Sequence, residues 1–157
     1  FAWAGAPRRS RGSRRRSSGP RPMSSLSAMG HGTMLSFKVT RQDGLAVLTI
    51  EGRLDAVTAP ELRPTIDLLV ESGPQPWVIC DLRALETIDS SGVGAIISLY
   101  KRLRLKGGDV GIARLRGQPK EIFRLLRLDR AFELYETLEQ AQERFLARSG
   151  VMRAVGR

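Results

Sequence analysis

The residues with the most chemical potential in this chain are two hydroxyls beside a carboxylate, in the run Asp89-Ser90-Ser91-Gly92-Val93-Gly94. The run sits between an apolar stretch, Trp77 to Leu82, and a stretch in which Ile96, Leu99, Tyr100 and Leu103 recur at helical spacing. A helix start there needs a cap, and Asp or Ser supplies one by accepting a backbone N–H. Two adjacent serines plus an aspartate exceed that need. A phosphate on either serine brings about −1.5 to −2 charges and strong acceptor oxygens. The unpaired N–H groups and positive dipole end of a helix N-terminus make it tolerable. A partner docked on that surface would meet new charge and bulk, sharpened by Asp89. The local chemistry allows Ser90 or Ser91.

Enzyme chemistry has little support. The single histidine, His31, lies far from these residues in sequence, so a Ser–His–Asp relay is not expected. Cys/His spacing of the zinc type is absent. Gly92-Val93-Gly94 and Gly107-Gly108 fall short of a phosphate-loop or dinucleotide fingerprint and read as turns or caps. Asp55 and Asp89 are carboxylates that the sequence alone does not bring together. The reading is a binding protein, with no cofactor and no metal. The lone cysteine, Cys80, excludes an internal disulfide; within Trp77-Val78-Ile79-Cys80 it reads as a buried strand thiol suited to a reducing, cytoplasmic compartment.

The formal charge of +10 is unevenly spread. Residues 1–33 hold seven of the 26 basic residues and no acid, so the remaining 19 face 16 acids and residues 34–157 carry only +3. Residues 1–33 are rich in Arg, Ser, Gly and Pro and are expected to be a disordered tail. The chain opens on Phe1, with Met23, Met29 and Met34 as candidate natural starts. Arg8-Arg9 and Arg14-Arg15-Arg16 read as an artefact of where translation was taken to begin, as an inert solvated tail, or as an arm for nucleic acid or an acidic surface. A targeting peptide fits less well, since neither an apolar core nor an amphipathic stripe is present. Residues 34–157 do not interleave aromatic with basic residues as a base-stacking surface would, so direct nucleic-acid binding is not expected. No apolar run is long enough to predict membrane insertion.

The elements that must position the serines follow from residue 34. Leu35, Phe37 and Val39 alternate as in a half-buried strand, Asp43-Gly44 signals a hairpin, and Leu45 to Ile50 is a second strand broken by Gly52. Thr58 and Glu61 have capping-box spacing, predicting a helix from Ala59 with Pro60 in its first turn, a kink at Pro64, and Leu62, Ile66, Leu69 and Val70 inward. Gly73 and Pro74 end it. Trp77 to Leu82 is a strand apolar on both faces. The helix after Ser91 runs to Leu105, basic near its end, and stops at Gly107-Gly108. Val110 to Ala113 is a strand. Pro119 opens a short helix carrying Ile122, Phe123, Leu125 and Leu126, and Phe132, Leu134 and Tyr135 form an edge strand. Thr137 and Gln140 start a last helix ending near Ala147. Strands alternating with helices imply an α/β fold with a mixed, mainly parallel sheet of about four to five strands and helices packed on it. The expected organisation is a tail over 1–33, one domain over 34–148, and a short tail over 149–157.

Four pieces of this sequence, in order, resemble the STAS domain family and most closely its bacterial anti-sigma factor antagonists. They are Gly52-Arg53-Leu54-Asp55-Ala56-Val57-Thr58-Ala59-Pro60-Glu61-Leu62; Asp81-Leu82 with Ile88-Asp89-Ser90-Ser91-Gly92-Val93-Gly94; Lys106-Gly107-Gly108; and Phe123-Arg124-Leu125-Leu126-Arg127-Leu128-Asp129 with Phe132. The resemblance spans about residues 35–147. It implies that the first serine, Ser90, is phosphorylated by an anti-sigma factor that is also a serine kinase. The unphosphorylated form would bind that factor and free the sigma factor, so regulating transcription by partner switching, and a PP2C-type phosphatase would restore it. The implied partner surface involves Asp55, Thr58, Asp89, Ser91, Gly92 and Val93, on a monomer or weak dimer. The alternative is a STAS subunit of an ABC-type transport or stressosome-like assembly, docking constitutively. The basic tail and the Lys/Arg-rich second helix depart from the family pattern.

Overall fold

A computed structural model describes residues 34–42 and 44–149. The Arg/Ser-rich tail, His31, Asp43 and the C-terminal tail from residue 150 lie outside the described residues. The chain forms β1 (Leu35–Gln42), β2 (Leu45–Leu54), α1 (Ala59–Val70), β3 (Trp77–Asp81), β4 (Leu85–Ile88), α2 (Ser90–Leu105), β5 (Asp109–Ala113), α3 (Gly117–Leu125), a single 3-10 turn (Leu128–Arg130), β6 (Glu133–Tyr135) and α4 (Leu138–Ser149). Among the described residues the sheet has six strands, in the order β1-β2-β3-β5-β6 with β4 paired to β2; β1 is antiparallel to β2 and the other pairings are parallel. The mixed, mainly parallel α/β fold is as expected, with one strand more.

The extra strand, β4, exists because β2 does not stop at Gly52. Gly52 adopts φ 97°, and a Cβ there would lie 2.3 Å from the Met34 carbonyl oxygen. β2 pairs with β3 over Leu45–Thr49 and then with β4 over Gly52–Leu54, where the register shifts between Gly52 and Arg53. The glycine that looked like a strand breaker is paired within the sheet, to Leu35 of β1 and Leu85 of β4, and the extra residue at the register shift is Glu86 of β4.

Alternation sorts the core. Leu48, Ile50, Val78, Cys80, Val110 and Ile112 face α1, α2 and α3. Leu45, Val47, Ile79 and Ala113 face α4 through Ala141 and Phe145. The predicted stripe of α1 is buried, as are Ile96, Leu99 and Leu103 of α2, and α1 is helical through Pro64. Cys80 is fully buried, and burial, with help from the Asp81 charge, pushes its thiol up to about 12. In α3 only Pro119 and Phe123 are buried; Leu125 and Leu126 are exposed.

Gly107 and Gly108 close α2. Gly107 at φ 82° donates to the Arg104 carbonyl at 3.0 Å and Gly108 donates to that of Leu103 at 2.8 Å, the paired pattern of a Schellman stop. A Cβ on Gly108 would stand 1.8 Å from the Pro76 carbonyl oxygen, which is backbone and cannot swing away. Gly108→Ala is therefore expected to cost on the order of 3 kcal/mol or more. Urea unfolding should show a lowered midpoint with an unchanged slope.

Candidate switch site at the start of helix α2

Asp89 is the N-cap of α2. Its Oδ1 accepts from the backbone N–H of Ser91 at 2.8 Å and of Gly92 at 3.0 Å, while Oδ2 accepts from Ala56 N–H at 3.2 Å. One carboxylate thus holds the helix start and the loop that follows β2. Its own N–H donates to the Leu54 carbonyl at 3.2 Å, extending the β2–β4 ladder. The helix approaches that ladder closely: a Cβ on Gly92 would meet Leu54 O at 2.5 Å and Ile88 Cγ1 at 2.7 Å.

Two expectations need correction here. First, the N–H groups of Ser91 and Gly92 are not free to receive a phosphate, because the Asp89 side chain already occupies them. An anion there still meets the positive end of the helix dipole. Second, Thr58 and Glu61 do not form a capping box. Thr58 is buried, its hydroxyl donates to the Arg53 carbonyl at 2.8 Å and accepts from Asp55 N–H at 2.9 Å, and no side-chain cap bond is made to α1. Asp55 orders the loop instead, its Oδ1 accepting from Val57 N–H at 3.0 Å and Thr58 N–H at 3.1 Å. The Thr58 N–H above all holds the Asp55 carboxyl below its ordinary 3.8, helped by Val57, the Thr58 hydroxyl and the Arg53 charge, and opposed by desolvation.

Of the residues singled out from sequence, Asp89, Ser90 and Ser91 are exposed and Asp55 is half-buried, while Thr58, Gly92 and Val93 are buried. The buried three shape the site from beneath. The loop brings Asp55 and Asp89 to one place through Ala56. Sequence reasoning missed Val57, 72% exposed on that loop, and Gln118 of α3. Gln118 donates to Ile88 O at 3.1 Å and accepts from Ile88 N–H at 2.9 Å, so a side chain holds the residue before Asp89 as a neighbouring strand would. Beside the serines a groove of about 450 Å³ runs between α1 and α2, floored by small residues such as Ala59, Gly94 and Ala95, with Ser91 and Arg63 on its walls. Among the described residues no cluster of His, Cys, Asp and Glu could hold a metal ion, and no helix is long and apolar enough to cross a membrane.

Removing the Asp89 carboxylate leaves three N–H groups without their acceptor. Asp89→Ala is expected to destabilise by about 1–2 kcal/mol, with faster amide exchange at Ala56, Ser91 and Gly92 in the same variant. Asp55 adds a pH signature. Its folded carboxyl titrates below the unfolded 3.8, so its contribution is full above that value and is lost as pH falls through the folded value. The stability gap between the wild-type chain and Asp55→Asn, from urea titrations, should be constant near neutrality and shrink below about pH 4.

Residues 36–141 match the STAS domain family. The anti-sigma-F factor antagonist RsfB of Mycobacterium tuberculosis is 31% identical over 109 residues, which cover 68% of this chain and 86% of RsfB. The crystal structure of an anti-sigma factor antagonist from Mycobacterium paratuberculosis superposes with a TM-score of 0.62 at 32% identity, covering 69% of this chain and 92% of that one. An anti-sigma-factor antagonist (STAS) domain protein from Planctomyces limnophilus shares the fold, with a TM-score of 0.62 at 18% identity over 67% of this chain and 93% of that one. Fold, motif order and identity agree: this chain belongs to the STAS-domain family of anti-sigma factor antagonists.

Proposed function

We propose that the chain is a cytoplasmic, non-catalytic switch over residues 34–148. Unphosphorylated, it binds an anti-sigma factor that is also a serine kinase; phosphorylated on Ser90, it releases that factor; a PP2C-type phosphatase resets it. The observation that carries the reading is the exposure of Ser90 at the first residue of α2, directly after Asp89 and beside the loop of Asp55 and Val57. Val57 offers an apolar contact and the small-residue groove offers room, so a partner can pack closely around the hydroxyl. The partner surface would comprise Asp55, Asp89 and Ser91 with Val57, held in shape by Thr58, Gly92 and Val93. A phosphate there adds about −1.5 to −2 charges next to the carboxylates of Asp55 and Asp89. Asp89 already takes the N–H groups of Ser91 and Gly92, so the new charge projects toward whatever is docked. Desolvating it against a close-packed partner is costly.

The test is phosphopeptide mapping after incubation of the whole chain with its cognate kinase and ATP, with binding measured in parallel. Phosphate on Ser90, absent in Ser90→Ala, and affinity for the anti-sigma factor lowered at least about tenfold in Ser90→Asp, a loss of about 1.4 kcal/mol, are expected. Phosphate retained in Ser90→Ala would move the switch to Ser91. Tight binding without any phosphorylation would leave a constitutive docking module instead.

A further inference from the structure

A second cluster of charge lies at the same end of the sheet, past the C-terminal ends of β3 and β5, and the switch does not use it. Arg83 follows β3, Arg114 and Arg116 follow β5, and Lys120 stands in α3; together they border an open groove of about 430 Å³. Arg114 is locked in place. Its Nε and Nη2 donate to the two oxygens of buried Asp81 at 3.1 and 2.7 Å, its N–H donates to the Tyr135 carbonyl at 2.9 Å, and its backbone holds φ 60°, a region non-glycine residues seldom occupy. Asp81 is thereby committed to Arg114. Arg83, Arg116 and Lys120 form no salt bridge among the described residues. The groove's own lining contains one carboxylate, Glu136, and Glu139 acts on Arg114 from α4.

Three unpaired cations around a fixed fourth repel one another, and an anion seated among them relieves that repulsion. The groove is not merely polar, however. Leu134, 39% exposed, and half-buried Leu115 also line it. A bare phosphate has no use for two leucines, whereas a peptide with both carboxylates and apolar side chains meets every part of the lining. The chain's own ends are the wrong charge: residues 1–33 hold seven arginines and residues 150–157 hold two, with no acid in either. A second copy presents Asp55 and Asp89 in a folded loop and helix start, where backbone N–H groups already hold them, and not in an extended segment.

We propose that this groove is a docking site for an extended acidic segment of a partner protein. Its carboxylates pair with Arg83, Arg116 and Lys120, and an apolar side chain rests on Leu134. The site does not depend on phosphorylation of Ser90. It is tied to the switch structurally: Gln118, which lies between Arg116 and Lys120 in sequence, bonds Ile88 next to Asp89.

The experiment uses the whole chain and a fluorescein-labelled peptide of alternating Glu and Leu, read by anisotropy at about 0.15 M salt. The triple variant R83A/R116A/K120A should weaken binding at least about tenfold, and a charge-matched control, K38A/R41A/R124A, less than about twofold. Leu134→Glu should also lose binding, and Ser90→Asp should not. Amide NMR shifts on the unmodified chain should move at residues 83, 114–116 and 134–136, a readout that holds even where the triple variant fails to fold. Equal losses in both triple variants, shifts centred on residues 55–58 and 89–92, or full displacement of the peptide by millimolar inorganic phosphate would each overturn the proposal. So would tighter binding of a labelled single-stranded oligonucleotide to the same residues.

Discussion

Asp89 joins two stretches of chain that the sheet delivers separately. Oδ1 takes the first-turn N–H groups of α2, and Oδ2 reaches Ala56 in the loop after β2. Without that second contact the loop would be ordered only from within, by Asp55 and Thr58, and its position relative to the serines would be unspecified. With it, the exposed hydroxyl of Ser90, the half-buried Asp55 and the apolar tip at Val57 form one surface. The geometry beneath is equally strict. β2 passes from β3 to β4 after Thr49, β4 ends at Ile88, and Gly92 lets the helix lie against Leu54. Each step narrows where the next residue can be, and Asp89 fixes the last of them.

How much of this was legible depended on whether the information was local. The hydrophobic period of α1 and α2, the alternation of β1 and the doubly apolar β3 are nearest-neighbour patterns, and the structure reproduces them with small shifts of boundary. The second helix begins at Ser90, a turn before its apolar spacing becomes regular, because Asp89 supplies the cap. Thr137 caps as its spacing suggested, Gln140 N–H donating to its hydroxyl at 3.1 Å, but the Gln140 side chain accepts from Glu136 N–H at 3.0 Å, one residue before the cap. The same spacing at Thr58 and Glu61 misled, because the loop before the helix turns the threonine hydroxyl back onto the Arg53 carbonyl, five residues earlier. The four residues of β4 are too few for periodicity, and only pairing with β2 makes them a strand. Gln118 had no sequence signal, since a polar residue early in a helix ordinarily faces water. For the site itself, the motif, its place at a helix start and the exposure of both serines could be read. The engagement of the Ser91 and Gly92 N–H groups could not, because it depends on a rotamer of Asp89.

Charge is also divided at this end of the sheet. The serine surface carries Asp55 and Asp89, both bound to backbone N–H groups and so fixed in direction. Around α3 and the loop after β5 the cations predominate, with Arg114 anchored on Asp81. The near-neutral sum for residues 34–157 conceals this separation, which arises because different loops over the strand ends bring acids and bases to different sides. A local dipole of this kind orients an approaching molecule before contact, more effectively than net charge does.

The side-chain amide of Gln118 has a consequence for solubility. A short strand whose outer edge offers a free donor and acceptor is a template on which another chain can add, and β4 would be such a strand at Ile88. Gln118 occupies both positions at that residue, imitating a neighbouring strand while being too short to propagate one. The sheet is thereby sealed at Ile88 by one residue of a helix, and a strand cannot add at that point beside the switch.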